Sequence, residues 1–145
     1  MASQPAYFDA SVLVKRYVHE DGSALARALL RRHRCVVSAI GPLEVTSALL
    51  RRAVAGHLSG RDVDKFLTMM QRDRIHWDLL EVDRQVLEHA EEIVRGGGVR
   101  TLDALHLASA MTVEDYSRPR LAFVTADAEQ RDAGVRLGLQ VIWVA

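Results

Sequence analysis

Leu102-Asp103-Ala104-Leu105-His106-Leu107-Ala108-Ser109-Ala110-Met111 is apolar almost all the way round the helix it predicts. A helix with no wet face needs protein on both sides, so this segment predicts a layered fold with a central helix. Its one acid, Asp103, stands out, because carboxylates are seldom placed in such surroundings without a partner or a task.

Outward from this helix, apolar residues recur at helical spacing at Val63, Phe66, Leu67 and Met70, and again at Val86, Leu87, Ala90, Ile93 and Val94. Between the helical stretches lie short β-rich runs: Ala6 to Phe8, Cys35 to Ile40, Trp77 to Val82, Leu121 to Thr125 and Gln140 to Val144. Strands that alternate with long helical connections predict a parallel sheet, because each parallel crossover needs about a dozen residues. The expected architecture is an α/β/α sandwich around a five-stranded, mainly parallel sheet, in one domain spanning residues 1–145. Gly41-Pro42 opens a helix with proline in its first turn, Gly96-Gly97-Gly98 closes one, and Gly138 separates the last helix from the last strand.

With 145 residues and 49% hydrophobic content, the chain can bury a genuine core. Lys plus Arg number 19 and so do Asp plus Glu, which excludes the global positive field of many nucleic-acid binders; any RNA contact must be local. The lone Cys35 excludes an internal disulfide and, beside Val36 and Val37, reads as a buried strand thiol. That favours a reducing, cytoplasmic setting. No leader pattern and no membrane-crossing apolar run occurs, so a soluble, unprocessed protein is expected.

Four acids occupy equivalent places: Asp9 after the first strand, Glu44 in the first turn after Gly41-Pro42, Asp103 at the start of the apolar helix, and Asp127 after the strand ending at Thr125. In an open parallel sheet, strand carboxyl ends and the amino ends of following helices share one edge, where ligands bind at the switch in strand order. Taken singly, Glu44 and Asp127 are accounted for by helix capping, and Asp9 equally by capping or chemistry. Taken together, converging carboxylates repel by roughly 4 kcal/mol per pair at about 4 Å and an effective dielectric of 20, so they need cations or protons. All-oxygen donors select hard ions, Mg²⁺ or Mn²⁺, and such ions serve phosphodiester hydrolysis.

Ser11 and Thr125 lie two residues from Asp9 and Asp127; they either hold carboxylates or metal-bound water in place, or bond nearby backbone. Glu129 and Asp132 read as surface residues of the last helix or else as further acids of the site, and His106, on one helix face with Asp103, as a structural histidine or else a metal-binding one. Arg31, Arg32 and Arg34 read as a solvated complement to a helix end. Arg51, seven residues after Glu44, is either an exposed helix arginine or a contact for RNA backbone. Gly96 to Gly98 follows a helix, so it is a cap and not a phosphate loop, and neither a His-Glu-x-x-His motif nor a cysteine pair offers a zinc site.

Tyr7 to Tyr17, Leu43 to Leu49, Leu102 to Ala110 and Phe123 to Asp127, taken in order, resemble the VapC-type toxins of the PIN-domain family, over Tyr7 to about Val144. The resemblance implies a Mg²⁺- or Mn²⁺-dependent endoribonuclease, the toxin of a type II toxin–antitoxin pair. It implies a homodimer silenced by a cognate antitoxin packed on the helices near residues 45 to 75. It also implies that Asp9, Glu44, Asp103 and Asp127 bind metal, with Ser11 and Thr125 in support. Ala10 departs from the pattern, since many relatives carry a second hydroxyl there.

Two rival readings follow from the same residues. A phosphoacceptor or phosphatase domain wants a second acid beside or two after the first, where Ala10 and Ser11 stand. A non-enzymatic PIN-like interaction module has no need of all four acids.

Overall fold

Strands β1 (Pro5–Phe8), β2 (Arg34–Ser38), β3 (Asp78–Leu80), β4 (Ala122–Thr125) and β5 (Gln140–Trp143) form one sheet in the order β3-β2-β1-β4-β5. Every pairing is parallel, so the expected mainly parallel sheet is wholly so. The computed structural model describes residues 3–117 and 120–145. Helices α1 (Ala10–Tyr17) and α2 (Ser23–Arg32) join β1 to β2, and α3 (Gly41–Val54) and α4 (Gly60–Asp73), with a short 3₁₀ turn at Arg74–His76, join β2 to β3. Helices α5 (Arg84–Arg95) and α6 (Thr101–Ser117) lead to β4, and α7 (Ala128–Arg136) leads to β5.

The strand order dictates the layers. From β1 the chain steps to β2 and β3 in one direction, then returns to place β4 and β5 on the other side of β1. Right-handed crossovers put connections of opposite travel on opposite faces, so α1 to α4 cover one face and α5 to α7 the other. The period-two alternation of the strands serves both. Phe8, Val37 and Val124 enter one core with Leu13, Val45 and Leu49. Tyr7, Val36 and Phe123 enter the other with Val86, Ala104 and Leu107, and the Tyr7 and Phe123 rings stack at 5.3 Å.

Helix α6 is central, as its sequence predicts: Ala104 to Ala110 are all buried. The helical spacing from Val86 to Val94 is borne out by α5. Val86, Ala90 and Ile93 are buried, but Leu87 and Val94 form a second stripe that faces solvent, because α6 covers one side of α5 alone. Both β2 and β3 are shorter than their β-rich runs; Ala39 and Ile40 turn the chain into α3, and β3 is a brief edge strand. Arg34 lies in β2 and not at a helix end, and its Nε pairs with Asp78 Oδ2 at 2.7 Å. Gly97 and Gly98 adopt φ of 91° and 78° after α5, and Gly138 a φ of 84° after α7, the left-handed positions that stop helices. No helix among the described residues is long and apolar enough to cross a membrane.

Candidate active site

The switch in strand order lies between β1 and β4, and each is followed by an acid that caps the next helix. Asp9 accepts the backbone N–H of Ser11 at 3.0 Å, and Asp127 that of Gln130 at 3.0 Å. Capping is therefore real at both positions, and it aims both carboxylates over the carboxyl edge of the sheet. Glu44 makes no cap: α3 has no side-chain cap, and Glu44 turns inward from its first turn instead. A Cβ on Gly41 would stand 2.6 Å from Val37 Cγ2, so the start of α3 rests directly on β2 and delivers Glu44 to the same edge. Asp103 arrives from the first turn of α6. All four acids line one polar cleft of about 390 Å³, with Lys15, Glu20, Arg51 and Arg52 along one rim.

Between these carboxylates stand N–H donors. His106 is fully buried, and its Nε2 lies 2.5 Å from Glu44 Oε1 and 3.6 Å from Asp9 Oδ1. Its tautomer follows from its neighbours. The Ser38 backbone N–H donates to the Tyr7 hydroxyl oxygen at 3.2 Å, and Tyr7 stays protonated because burial holds its hydroxyl well above the usual phenol range. In the neutral ring Nε2 carries the proton, because the Glu44 carboxylate can only accept, and Nδ1 accepts from the Tyr7 hydroxyl 2.6 Å away. Burial opposes charging His106, but the bond to Glu44 and the nearby Asp9 and Asp103 charges outweigh it and raise its pKa.

Gln130 is the second bridge. Its Nε2 donates to Asp9 Oδ1 at 3.2 Å and to Asp103 Oδ1 at 3.3 Å, while its Oε1 accepts from Thr125 Oγ1 at 2.7 Å. Thr125 does not touch a carboxylate; its oxygen accepts the Asp127 backbone N–H at 3.1 Å, and it reaches the acids only through Gln130. Ser11 serves both roles open to it: Oγ donates to Asp9 Oδ2 at 2.5 Å and accepts the Ala126 N–H at 3.0 Å, tying α1 to the end of β4. Gln130 was not singled out from sequence, although Asp127-x-x-Gln130 is a capping-box spacing. In a capping box the glutamine would reach back to its own N-cap; here it is buried beneath the acids.

Other candidates fall outside. Glu129 pairs with Arg100 and Asp132 with Arg131, all on the surface. Arg51 lines the rim, its guanidinium on Ser47 Oγ at 2.7 Å. Glu20, unremarked in the sequence, gathers Lys15 at 3.3 Å and Arg52 at 3.2 Å into a rim network.

The cleft shows the electrostatic tension of converging acids. Desolvation, then the charges of Asp127 and Asp9, push Asp103 up to about 6. The acids offer oxygen donors only, which suits a hard divalent cation, and they surround spaces now bridged by amide and imidazole N–H. Among the described residues, no three His, Cys, Asp or Glu side chains are already drawn into a ready-made metal cluster. The residues fit the cation by chemistry and location, and the donors close on it only by moving.

Fold and cleft together define a doubly wound α/β domain with an acidic crevice at its switch point. The PIN domain model matches residues 6–135, and the chain belongs to the PIN-domain family. Ribonuclease VapC46 of Mycobacterium tuberculosis (strain ATCC 25618 / H37Rv) is 38% identical to it over 138 residues, covering 94% of this chain and 95% of that protein. Ribonuclease VapC45 of Mycobacterium tuberculosis (strain CDC 1551 / Oshkosh) is 33% identical over 114 residues, covering 75% and 76%. Among solved structures, FitAcB from Neisseria gonorrhoeae superposes with a TM-score of 0.70 at 16% identity, covering 94% of this chain and 96% of that one. A toxin–antitoxin complex from Klebsiella pneumoniae does so at 0.65 and 14%, covering 94% and 95%. At such identities the structural likeness speaks for the fold.

Proposed function

We propose that this chain is a divalent-metal-dependent endoribonuclease, the toxin of a type II toxin–antitoxin pair. The observation that carries the reading is one cleft lined by acids from four separate elements, in a chain 38% identical over nearly its whole length to a named ribonuclease. Asp9, Glu44, Asp103 and Asp127 hold the metal, Mg²⁺ or Mn²⁺, as the all-oxygen donor set prefers. When bound, such an ion supplies Lewis-acid charge that activates water and offsets the negative charge on the leaving oxygen.

The protein's own groups do the rest. Ser11 and Gln130 fix the two oxygens of Asp9, and His106, itself held by Tyr7, fixes Glu44. Lys15, Arg51 and Arg52 give RNA phosphates a cationic rim from which a phosphodiester is presented to the acids. Water adds to phosphorus, and a phosphomonoester and a free hydroxyl leave.

The partner surface is read from α3. Leu43, Leu50 and Val54 are exposed along one stripe and line an apolar groove of about 610 Å³. Arg51 borders both this groove and the cleft, so an antitoxin seated there lies within reach of the acids. The exposed Leu87 and Val94 stripe of α5 leaves a separate apolar surface for a homodimer.

Asp9→Asn preserves volume and the Ser11 bond, so the variant folds but loses Mg²⁺-dependent RNA cleavage. Undiminished cleavage by the purified, folded variant refutes the proposal.

A further inference from the structure

At the opposite, amino edge of the sheet, the ends of α1 and α2 and the connection into β3 enclose a second cavity of about 510 Å³. Strand β2, at about 3.3 Å per residue over its five residues, sets this edge roughly 17 Å from the acidic cleft. Its walls carry Arg16, Arg27, Arg31 and Arg34, with Trp77 beside them and Asp73 as the only acid among the described residues that line it. In a chain with equal numbers of acids and bases, this is a local excess of cations.

The arginines divide into two sets. Arg16 is held by Asp73 at 3.4 Å, and Arg34 by Asp78 at 2.7 Å. Asp73 is further occupied by the Tyr17 hydroxyl at 2.7 Å. Arg27 and Arg31 have no carboxylate partner within 4.0 Å among the described residues. They stand one turn apart on α2 and both line the cavity, with Cβ atoms about 5–6 Å apart at that spacing. Arg27 Nε is anchored on the Arg16 carbonyl at 3.3 Å, which leaves its terminal nitrogens for another acceptor. Complementing the helix dipole accounts for Arg31 and Arg32 in the last turn of α2, but not for Arg27 in mid-helix.

We propose that this cavity is a phosphate-binding exosite for single-stranded RNA, in which Arg27 and Arg31 take backbone phosphates and Trp77 offers a stacking face to a base. It rests on the ribonuclease reading only in supposing that the bound strand continues to the acidic cleft. Unpaired guanidinium forks beside an aromatic ring are the combination that holds a single strand without reading its sequence.

The test separates this site from the cleft. A fluorescent single-stranded RNA of about twenty nucleotides is titrated against metal-free protein by anisotropy, where the acids repel it and cleavage is absent. The Arg27→Gln/Arg31→Gln double variant should weaken binding at least tenfold, and lower the log–log salt slope by about 1.4, at about 0.7 per lost phosphate contact. The single Arg31→Glu variant, on an exposed side chain, guards against a packing effect and should weaken binding in the same direction. With metal present, cleavage of a tetranucleotide too short to span both sites should be unchanged, so loss of the exosite and failure of the nuclease reading are told apart. Equal RNA affinity in wild type and both variants overturns the proposal, as does poly-glutamate competing as well as RNA, which would assign the cavity to an acidic protein segment.

Discussion

The two edges of the sheet carry opposite chemistry in cavities of comparable size, about 390 Å³ at the carboxyl edge and about 510 Å³ at the amino edge. At the carboxyl edge, acids sit in first helical turns or at N-caps, where the dipole welcomes them, and buried N–H groups bridge them. At the amino edge, cations gather from α1, α2 and β2, and their bonds are partly buried, as for Arg16 and Arg27, or half-exposed, as for Arg34. Depth is the difference that matters. His106, Gln130 and Tyr7 are buried and over-determine their neighbours, so the acidic edge is a built site; at the basic edge the Arg34–Asp78 pair is half-exposed and Arg31 is exposed.

The largest expected effects fall at the built edge. Asp9→Asn or Asp103→Asn should each lower metal-dependent RNA cleavage by about 10²–10³-fold, several kcal/mol of lost charge stabilisation, measured on a fixed RNA under single-turnover conditions. The same Asp103→Asn change should raise the melting temperature of the metal-free protein at pH 7.5, because it removes a charge that burial and the Asp127 and Asp9 charges disfavour. A destabilised Asp103→Asn protein would erase the contrast between the edges.

Next in size is the support beneath the acids. Tyr7→Phe leaves the Ser38 N–H and His106 Nδ1 without their shared partner and should cost about 1–3 kcal/mol in urea unfolding. It should also weaken Mn²⁺ binding by about 10–100-fold, the range for groups that orient metal ligands. Unaltered Mn²⁺ affinity in a destabilised Tyr7→Phe would mean that the Tyr7–His106 bond only supports the core.

The acidic edge also predicts a pH dependence. Asp103 is raised to about 6 and His106 is raised from its ordinary value. A group whose folded pKa exceeds its unfolded one stabilises the fold below the unfolded value, and that contribution is lost as pH rises through the folded pKa. Metal-free protein should therefore lose stability from about pH 4 towards pH 7.5. Added Mn²⁺ needs the deprotonated acid, so its thermal shift should be larger at pH 7.5 than at pH 5.

The smallest effect belongs to the basic edge. The Arg34–Asp78 pair is half-exposed on both sides, so Arg34→Ala should change unfolding free energy by no more than about 1 kcal/mol. A larger loss would show that this edge is as rigidly built as the other.

Much of this was legible in the residues. The apolar circumference of Leu102 to Met111 announced a central helix, and the alternation of strands with long connections announced a parallel sheet. The four acids could be placed on one edge because each follows a strand or opens a helix, positions that topology alone brings together. Gln130 was not legible: its spacing from Asp127 mimics a cap, and only the fold turns its side chain under Asp9. Nor was the service of His106 to Glu44, since their 62-residue separation hides a contact made by α3 and α6 crossing the sheet edge. The exposure of Leu87 and Val94 was not legible either, because a helical stripe tells which faces are apolar, but not which are covered.

On the proposed function, the carboxyl-edge acids gather a hard cation. Crystals soaked in Mn²⁺ and measured for its anomalous signal test it directly. A peak is expected inside the cleft within about 2.0–2.6 Å of oxygens from Asp9 and at least one of Glu44, Asp103 and Asp127, with Gln130 or His106 displaced from its bridge. A saturated crystal with manganese elsewhere on the surface, and both bridges intact, contradicts it.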